Sequence, residues 1–346
     1  MDTGDKADTD RRVRVASRCA IASGRPLLVA ALGCSVLAAA IAAGAQRPAA
    51  LPRIAFLGMD TQMQAERVAA FRDALRELGY VEGRTIVIDY RSAEGRFDQL
   101  PALAVELVAS NPDVIVTAAP PAVRAVQGAT TTIPIVMGAH DPIGMGFVGS
   151  FAKPGGNITG VAFQDSELST KRLDLLRQAV PNLTRVAVFW NKEGGGMAAV
   201  TSVEGAAKAL GLQVLRLEVS GPADFAGAVA SAKAWGAQGL IQLASPLITK
   251  HRQIFLEQLR VTRLPATCEM REYVEEGCLM TYSANLNMMF RMFASFVDRI
   301  LKGAKPSDLA IEQPREFEFV INQKTAQTLG LTLPSTLTLQ ATEIIR

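Results

Sequence analysis

The stretches RIAFL at residues 53–57 and RVAVF at residues 185–189 are nearly the same phrase. Each is followed by a polar loop and an amphipathic segment that ends in a Leu-Gly pair, at residues 78–79 and 210–211. The two phrases begin 132 positions apart, and the two glycines have the same separation. Short runs of β-branched and aromatic residues favour strands, and a glycine after a periodic segment commonly ends a helix. The chain therefore contains two copies of one strand–helix unit.

The alternation of apolar runs and helical patterns continues through both copies. In the first copy, strands are predicted at residues 53–58, 85–90, 113–119 and 133–139, with helices at 62–79, 97–110 and 121–128. In the second, strands are predicted at residues 185–191, 212–219, 239–245 and 264–268, with helices at 197–211, 223–236 and 250–263. Strands that alternate with helices of this length indicate βαβ units and a parallel sheet. We therefore predict an α/β protein with two similar, doubly wound, Rossmann-like domains.

Three further segments have extended patterns suited to crossings between the two domains: residues 151–163, 278–285 and 311–322. The helical pattern at residues 285–303 has no counterpart in the first copy. These features predict a three-strand hinge between two lobes. The expected first lobe comprises residues 46–157 and 284–310, and the expected second lobe comprises residues 158–283 and 311–346.

The first 45 residues have the composition of a secretory signal peptide. Five arginines precede a continuous apolar run at residues 27–45, and Ala43-Gly44-Ala45 fits the small-x-small cleavage pattern. We expect cleavage before Gln46 and a periplasmic location. The apolar run is also long enough to span a bilayer, so an uncleaved membrane anchor is the alternative.

Little net charge remains beyond this leader. The chain has 36 basic and 33 acidic residues, of which six and four lie in the first 45 positions, leaving 30 and 29. Such a balance creates no strong field toward nucleic acid or an anionic membrane. We therefore expect no nucleic-acid partner.

Two cysteines lie beyond the leader, Cys268 and Cys278. In an oxidising compartment they could form a disulfide. Two buried free thiols are the alternative, because sequence spacing alone does not establish proximity. The spacing does not match a metal-binding pattern, and we expect neither a metal nor a cofactor.

Ligands of open α/β sheets bind beyond the carboxyl ends of the strands. If the two sheets face each other, the loops after their strands line one cleft between the lobes. The candidate ligand-binding residues in those loops are Met59, Asp60, Thr117, Ala118, Ala119, Pro120, His140, Asp141, Asn191, Ser245 and Glu269. Tyr282, in the second crossing segment, completes the set.

Several of these candidates also have a purely structural interpretation. The small residues at 117–121 either present N–H groups of a helix N-terminus to a carboxylate or form a plain turn. Asp141 either meets a ligand ammonium or caps the following turn. Asn191 and Ser245 can hydrogen-bond a ligand, or serve as turn and cap residues. The ring of Tyr282 either faces the cleft or packs in the core.

Sequence motifs for catalysis are absent from the chain. There is no GxSxG element, no phosphate-binding loop and no dinucleotide-binding fingerprint. The neighbouring pair His140-Asp141 could form part of a catalytic triad, so a hydrolytic enzyme is kept as an alternative.

Several long segments resemble one protein family. They include FRDALRELGYVEGRTIVIDYR at residues 71–91, DPIGMGFVGSFAKPGGNITG at residues 141–160, and VINQKTAQTLGLTLP at residues 320–334, followed by ATEII at residues 341–345. From residue 53 to residue 346 the chain resembles the ABC-transporter substrate-binding proteins of the type 1 periplasmic binding fold. It is most similar to the branch that includes tryptophan- and tyrosine-binding members.

This resemblance implies a non-enzymatic, monomeric protein of an ABC import system. Such proteins close two lobes around a small molecule and deliver it to the membrane subunits of a permease. An amino acid or a related compound is the expected ligand. A periplasmic sensing module that serves a separate receptor is the alternative function.

Overall fold

Two β-sheets, each with helices on both faces, make up the described part of the chain. The computed structural model describes residues 51–194 and 196–346. The predicted leader and its cleavage site lie outside the described residues. In the described ranges, no helix is both long and apolar enough to cross a membrane.

The first sheet has five parallel strands in the order β2-β1-β3-β4-β5. The strands are β1 (Arg53–Gly58), β2 (Val87–Ser92), β3 (Val114–Ala118), β4 (Ile135–His140) and β5 (Ile158–Phe163). The helices between them are α1 (Thr61–Glu77), α2 (Leu100–Ala109) and α3 (Pro120–Ala129), and a 3-10 turn at Phe97–Gln99 precedes α2.

The second sheet has seven strands in the order β12-β11-β10-β9-β8-β6-β7. The strands are β6 (Arg185–Trp190), β7 (Gln213–Glu218), β8 (Gly239–Gln242), β9 (Ala266–Cys268), β10 (Met280–Ala284), β11 (Phe317–Asn322) and β12 (Glu343–Ile345). Its larger helices are α4 (Asp165–Ala179), α5 (Met197–Ala209), α6 (Asp224–Trp235) and α8 (Arg252–Thr262), and its shorter ones are α7 (Pro246–Lys250), α9 (Arg271–Glu275), α11 (Gln323–Leu329) and α12 (Ser335–Thr338). The β10–β11 pair is antiparallel and the other pairs are parallel.

The two repeated phrases form equivalent strands. Strand β1 lies between β2 and β3, and β6 lies in the same way between β7 and β8. The orders β2-β1-β3-β4-β5 and β7-β6-β8-β9-β10 therefore correspond strand by strand. The prediction of two similar doubly wound lobes is confirmed.

The unbroken apolar character of these strands follows from burial on both faces. In β1, Ile54 and Phe56 pack against α1 and a later helix, α10 (Leu286–Leu301). The alternate residues Ala55 and Leu57 pack against α2 and α3. Successive side chains of a strand point to opposite faces, so a strand between two helical layers must be apolar at every position.

The chain crosses between the lobes three times: from β5 into α4, from β10 into α10, and ahead of β11. The first crossing lies further along the chain than the sequence analysis predicted. Residues 158–163, expected in the second lobe, form β5 and pair with β4 in the first sheet. A close approach at Gly160 fits this placement, because a Cβ there would lie 2.1 Å from the carbonyl oxygen of Met137.

Helix α4 was not predicted from the sequence. It connects the two copies and packs against α5, as α10 packs against α1 in the first lobe. Two features of its sequence are typical of a helix. The first turn contains the acidic residues Asp165 and Glu167, and apolar residues recur at helical spacing at Leu168, Leu175 and Ala179. This helix matters for the site, because it brings charged side chains to the space between the lobes.

A disulfide joins Cys268, the last residue of β9, to Cys278 just before β10. Both cysteines are buried, and the bond closes a short loop that contains α9. Closing a loop of this length stabilises the fold by about 2–3 kcal/mol in the chain-entropy picture. The bond also restrains the residues that follow β9, Glu269 and Met270.

Candidate functional site

A cavity of about 160 Å³ lies between the lobes, where the carboxyl ends of their strands meet. The first lobe contributes the residues after β1, β3 and β4, and the second contributes those after β8 and β9. The ends of β5 and β10, where the chain crosses between lobes, also line it. This is the position at which open α/β sheets bind ligands.

The first lobe supplies most of the apolar wall of this cavity. Its contributions are Met59, Met63, Phe97, Phe163, Leu286, Met289 and Phe290. Rings and thioether side chains of this kind offer large apolar contact areas to a flat or irregular ligand. The first lobe therefore provides a surface that suits a hydrophobic side chain.

The second lobe supplies most of the polar wall, organised around Arg172 on α4. This side chain is only 2% exposed. Its guanidinium donates to the carboxylate of Asp165 at 3.1 Å, to the carbonyl of Tyr282 at 2.8 Å and to the carbonyl of Glu269 at 3.3 Å. A buried charge is tolerated when it is paired and hydrogen-bonded in this way. Arg172 thereby ties α4, β10 and the end of β9 together at the cavity wall.

Glu269 is a buried carboxyl group on the same wall. The Thr249 hydroxyl donates to its Oε1 at 2.7 Å, and its own backbone N–H donates to Gln242 at 3.0 Å. Burial raises the pKa of Glu269 to about 7. The hydroxyl of Tyr273 lies 3.1 Å from that of Thr249 and extends the network. Near neutral pH this carboxyl group therefore exchanges between its charged and neutral forms.

Two carboxyl oxygens on this wall are available to a ligand. Among the described residues, Asp165 Oδ2 and Glu269 Oε2 accept no hydrogen bond. Both side chains line the cavity. Free carboxylate oxygens in a partly desolvated site attract a cation or a hydrogen-bond donor such as an ammonium group.

The structure brings eight of the candidate residues from the sequence to this cavity. They are Met59, Asp60, Ala118, Ala119, Pro120, His140, Ser245 and Glu269. Asp60 and Ser245 also cap the helices that follow them, through bonds from Met63 and Ile248. Position at the end of a strand was thus a useful signal, because each of these residues lies within the last two positions of a predicted strand or within two residues after it.

Three other candidates have structural roles away from the cavity. The Thr117 hydroxyl donates to the carbonyl of Leu57 at 3.0 Å and so joins β3 to β1. Asn191 donates to the carbonyl of Val219 at 2.7 Å and accepts from the Gly194 amide at 3.0 Å, which forms a turn. Tyr282 stacks on Phe317, with the ring centroids 5.8 Å apart. Each of these side chains is used within its own lobe, and none of the three lines the main cavity.

Asp141 lies beside a different cavity of about 170 Å³, which shares His140, Phe163 and Asp165 with the main one. Its carboxylate accepts from the Gly144 amide at 3.0 Å and caps a turn. Asp141 thus has the capping role that was one of its two predicted interpretations, and it does not line the main cavity.

Residues 117–121 were predicted to form either a carboxylate site or a plain turn, and their hydrogen bonds are those of a turn. Helix α3 begins with Pro120 and Pro121, which have no N–H group. The Ala119 amide donates to Gly138, and the amides of Ala122 and Val123 donate back to Ala119. In the described structure no backbone donor of this first turn is left for an anion.

Several lining residues were missed by the sequence reasoning: Phe97, Phe163, Asp165, Leu168, Arg172, Thr249, Lys250 and Phe290. Three of them lie on α4, the helix that was not predicted. Its helical periodicity could have revealed them. The others sit within helices or at strand ends, and no local pattern separates them from core residues.

The pair His140-Asp141 does not have the arrangement of a catalytic dyad. His140 Nδ1 is buried and has no hydrogen-bond partner among the described residues. Burial lowers the pKa of this imidazole, so the ring is neutral at physiological pH. The ring instead packs edge-on against Phe163, with the centroids 4.7 Å apart.

Residues 55–345 match the model of the family described as ABC transporter substrate binding protein. The chain belongs to this family. Among curated relatives, the substrate-binding protein is 25% identical over 264 residues to the tyrosine-binding protein of Clostridioides difficile strain R20291. That match covers 75% of each chain.

Solved structures also include proteins that are similar to this chain over most of its length. The structure of an ABC domain of Streptococcus pneumoniae in complex with L-Trp has a TM-score of 0.80 and 25% identity, and covers 86% of this chain and all of that one. A conserved domain protein of Vibrio cholerae has a TM-score of 0.77 and 25% identity, covering 85% of this chain and 99% of that one. The substrate-binding protein thus has the two-lobed type 1 periplasmic binding fold, and it binds its ligand in the cleft between the lobes.

The raised pKa of Glu269 predicts a pH-dependent stability. Below about pH 4.5 the carboxyl group is protonated in the folded and unfolded states alike. Between this value and about pH 7 the unfolded state alone releases the proton, so the unfolding free energy falls as the pH rises. Over this pH range the contribution of Glu269 to the unfolding free energy should decrease by about 3 kcal/mol, and this contribution should be absent in Glu269→Gln.

Urea unfolding at pH 4.5 and pH 8 measures this effect as the difference between wild type and variant. Glu106→Gln, at an exposed position of α2, is the control and should follow the wild type. An unchanged pH dependence in Glu269→Gln would contradict the assignment.

Proposed function

We propose that the substrate-binding protein captures an amino acid with an aromatic side chain and delivers it to the membrane permease of an ABC importer. One observation carries the proposal: the same cavity is lined by apolar side chains of one lobe and by carboxyl groups of the other that each have an oxygen without a protein donor. The proposed partners are the membrane subunits of the permease, and the proposed working form is a monomer that performs no catalysis.

The chemistry of the two walls supports this class of ligand. Asp165 and Glu269 can receive an α-ammonium group, since each has an oxygen without a protein donor. Phe163 and Phe290 can contact an aromatic ring, for which edge and face contacts are favourable. The tyrosine-binding relative and the L-Trp complex support the same ligand class.

Isothermal titration with L-Trp, L-Tyr, L-Phe, L-Ala and a pentose tests the ligand class. We expect at least one aromatic amino acid to bind, and L-Ala and the sugar to bind at least tenfold more weakly. Phe163→Leu should weaken binding of the aromatic amino acid about tenfold, the scale of one lost aromatic contact. Phe317→Leu, whose ring stacks within the second lobe, is the matched control. Binding of none of the aromatic amino acids by the wild type would refute the proposal.

We also propose that residues 1–45 direct export and are removed. The support is the basic segment, the apolar run and the Ala43-Gly44-Ala45 sequence ahead of Gln46. Expression of the full chain in a Gram-negative host, followed by N-terminal sequencing of the periplasmic fraction, should give a first residue of Gln46. An intact leader on membrane-associated protein would support the uncleaved anchor instead.

The proposed mechanism is closure of the two lobes about the three crossing segments. A ligand that contacts both lobes favours the closed state over the open one. One ion pair already spans the mouth of the cavity: Arg67 on α1 of the first lobe binds Glu272 on α9 of the second. We propose that this pair helps to hold the closed state.

Loss of the spanning ion pair should therefore speed ligand release. Glu272→Gln should raise the dissociation rate constant about two- to fivefold, consistent with the modest strength of a partly exposed ion pair. The matched control is Glu276→Gln, which removes an ion pair with Arg252 at 2.8 Å inside the second lobe. Stopped-flow fluorescence measures both rates. Equal rates for the two variants would show that the Arg67–Glu272 pair has no role in closure.

A further inference from the structure

Among the described residues, three cationic side chains line the main cavity, and two of them already bind protein partners. Arg172 bonds to Asp165 and to two carbonyl groups. Arg67 pairs with Glu272 across the mouth. The third, Lys250, forms no ion pair or hydrogen bond through its ammonium with any residue in the described ranges. It is therefore the cation that remains available to an anionic ligand group.

Lys250 is held in a defined place although its ammonium is unpaired. It is the last residue of α7, the helix that begins next to the cavity residue Ser245. Its ammonium lies 5.4 Å from the centre of the Phe97 ring, and its aliphatic carbons lie against Gly95. Both neighbours belong to the first lobe, so Lys250 reaches across the cleft. A cation over an aromatic face keeps its charge while its stem is restrained.

Lys250 also borders a second cavity of about 670 Å³, which Asp165 and Glu269 do not line. Other carboxyl residues, including Asp60 and Glu272, line that second cavity with Lys250, and Glu272 is already paired with Arg67. A zwitterion whose ammonium meets Asp165 or Glu269 in the main cavity would direct its carboxylate toward Lys250, the unpaired cation.

Several other groups that could hold a carboxylate are used elsewhere in the described structure. The first turn of α3 offers no free backbone N–H. The Thr249 hydroxyl donates to Glu269, whereas the Ser245 hydroxyl accepts from the Ile248 amide and keeps its own O–H for a neutral hydrogen bond. Among the described cavity residues, the Lys250 ammonium is therefore the charged donor that has no protein partner.

We propose that Lys250 is a specificity-determining residue that binds the α-carboxylate of the ligand and so selects amino acids over the corresponding amines. This inference rests on the proposed function, an amino acid with an aromatic side chain. The bound carboxylate would contact Lys250 of the second lobe close to Phe97 of the first, at the place where the lobes meet. Recognition of the carboxylate is then coupled to closure of the cleft.

Paired ligands provide the test. Titrations compare L-Trp with tryptamine and L-Tyr with tyramine, each amine lacking only the carboxylate. The proteins are the wild type, Lys250→Gln, Lys250→Arg and Lys208→Gln, a control at an exposed lysine of α5. Thermal unfolding establishes that each variant is folded.

Lys250→Gln should weaken binding of the amino acid at least tenfold and leave the affinity for the amine within about twofold of the wild-type value. Lys250→Arg should retain most of the amino-acid affinity, and Lys208→Gln should retain all of it. An unchanged amino-acid affinity in Lys250→Gln would overturn the inference. So would equal losses for the amino acid and the amine, since these would indicate a structural effect. If the wild type binds no aromatic amino acid, the proposed function itself fails.

Discussion

The buried guanidinium of Arg172 is the interaction on which the ligand site depends. A charge that is 2% exposed requires partners on every side, and Arg172 finds them in Asp165, in Tyr282 and in the backbone of Glu269. These partners come from α4, from β10 and from the end of β9. One side chain thus fixes the relative position of two crossing segments and the acidic wall. Without that charge, the free oxygens of Asp165 and Glu269 would have no common support.

The two lobes contribute different chemistry although their folds correspond strand by strand. The first lobe presents rings and methionines, and the second presents carboxyl groups and cations. Neither surface alone encloses an amphipathic ligand. Binding and closure are therefore linked, because the complete set of contacts exists only when the lobes meet. The Arg67–Glu272 pair and the Lys250–Phe97 contact mark where that meeting occurs.

Local sequence patterns predicted most of the framework. The alternation of apolar strands with helices placed both sheets, and the rule that ligands bind at strand ends found residues such as His140, Ser245 and Glu269. The same rule also selected Thr117 and Asn191, whose side chains bond within their own lobe. The sequence predicts that a residue lies in a loop, but it does not predict which group its polar side chain will hydrogen-bond in the folded protein.

The sequence by itself determined two similar α/β lobes, three crossings and a cleft, because strand and helix periodicities are local properties of the chain. The tertiary structure decided the chemistry of that cleft. Residues far apart in sequence, such as Arg172 and Glu269, or Lys250 and Phe97, become neighbours only when the lobes are folded and facing. Burial then determines which charges are paired, which remain available, and that the pKa of Glu269 lies at about 7.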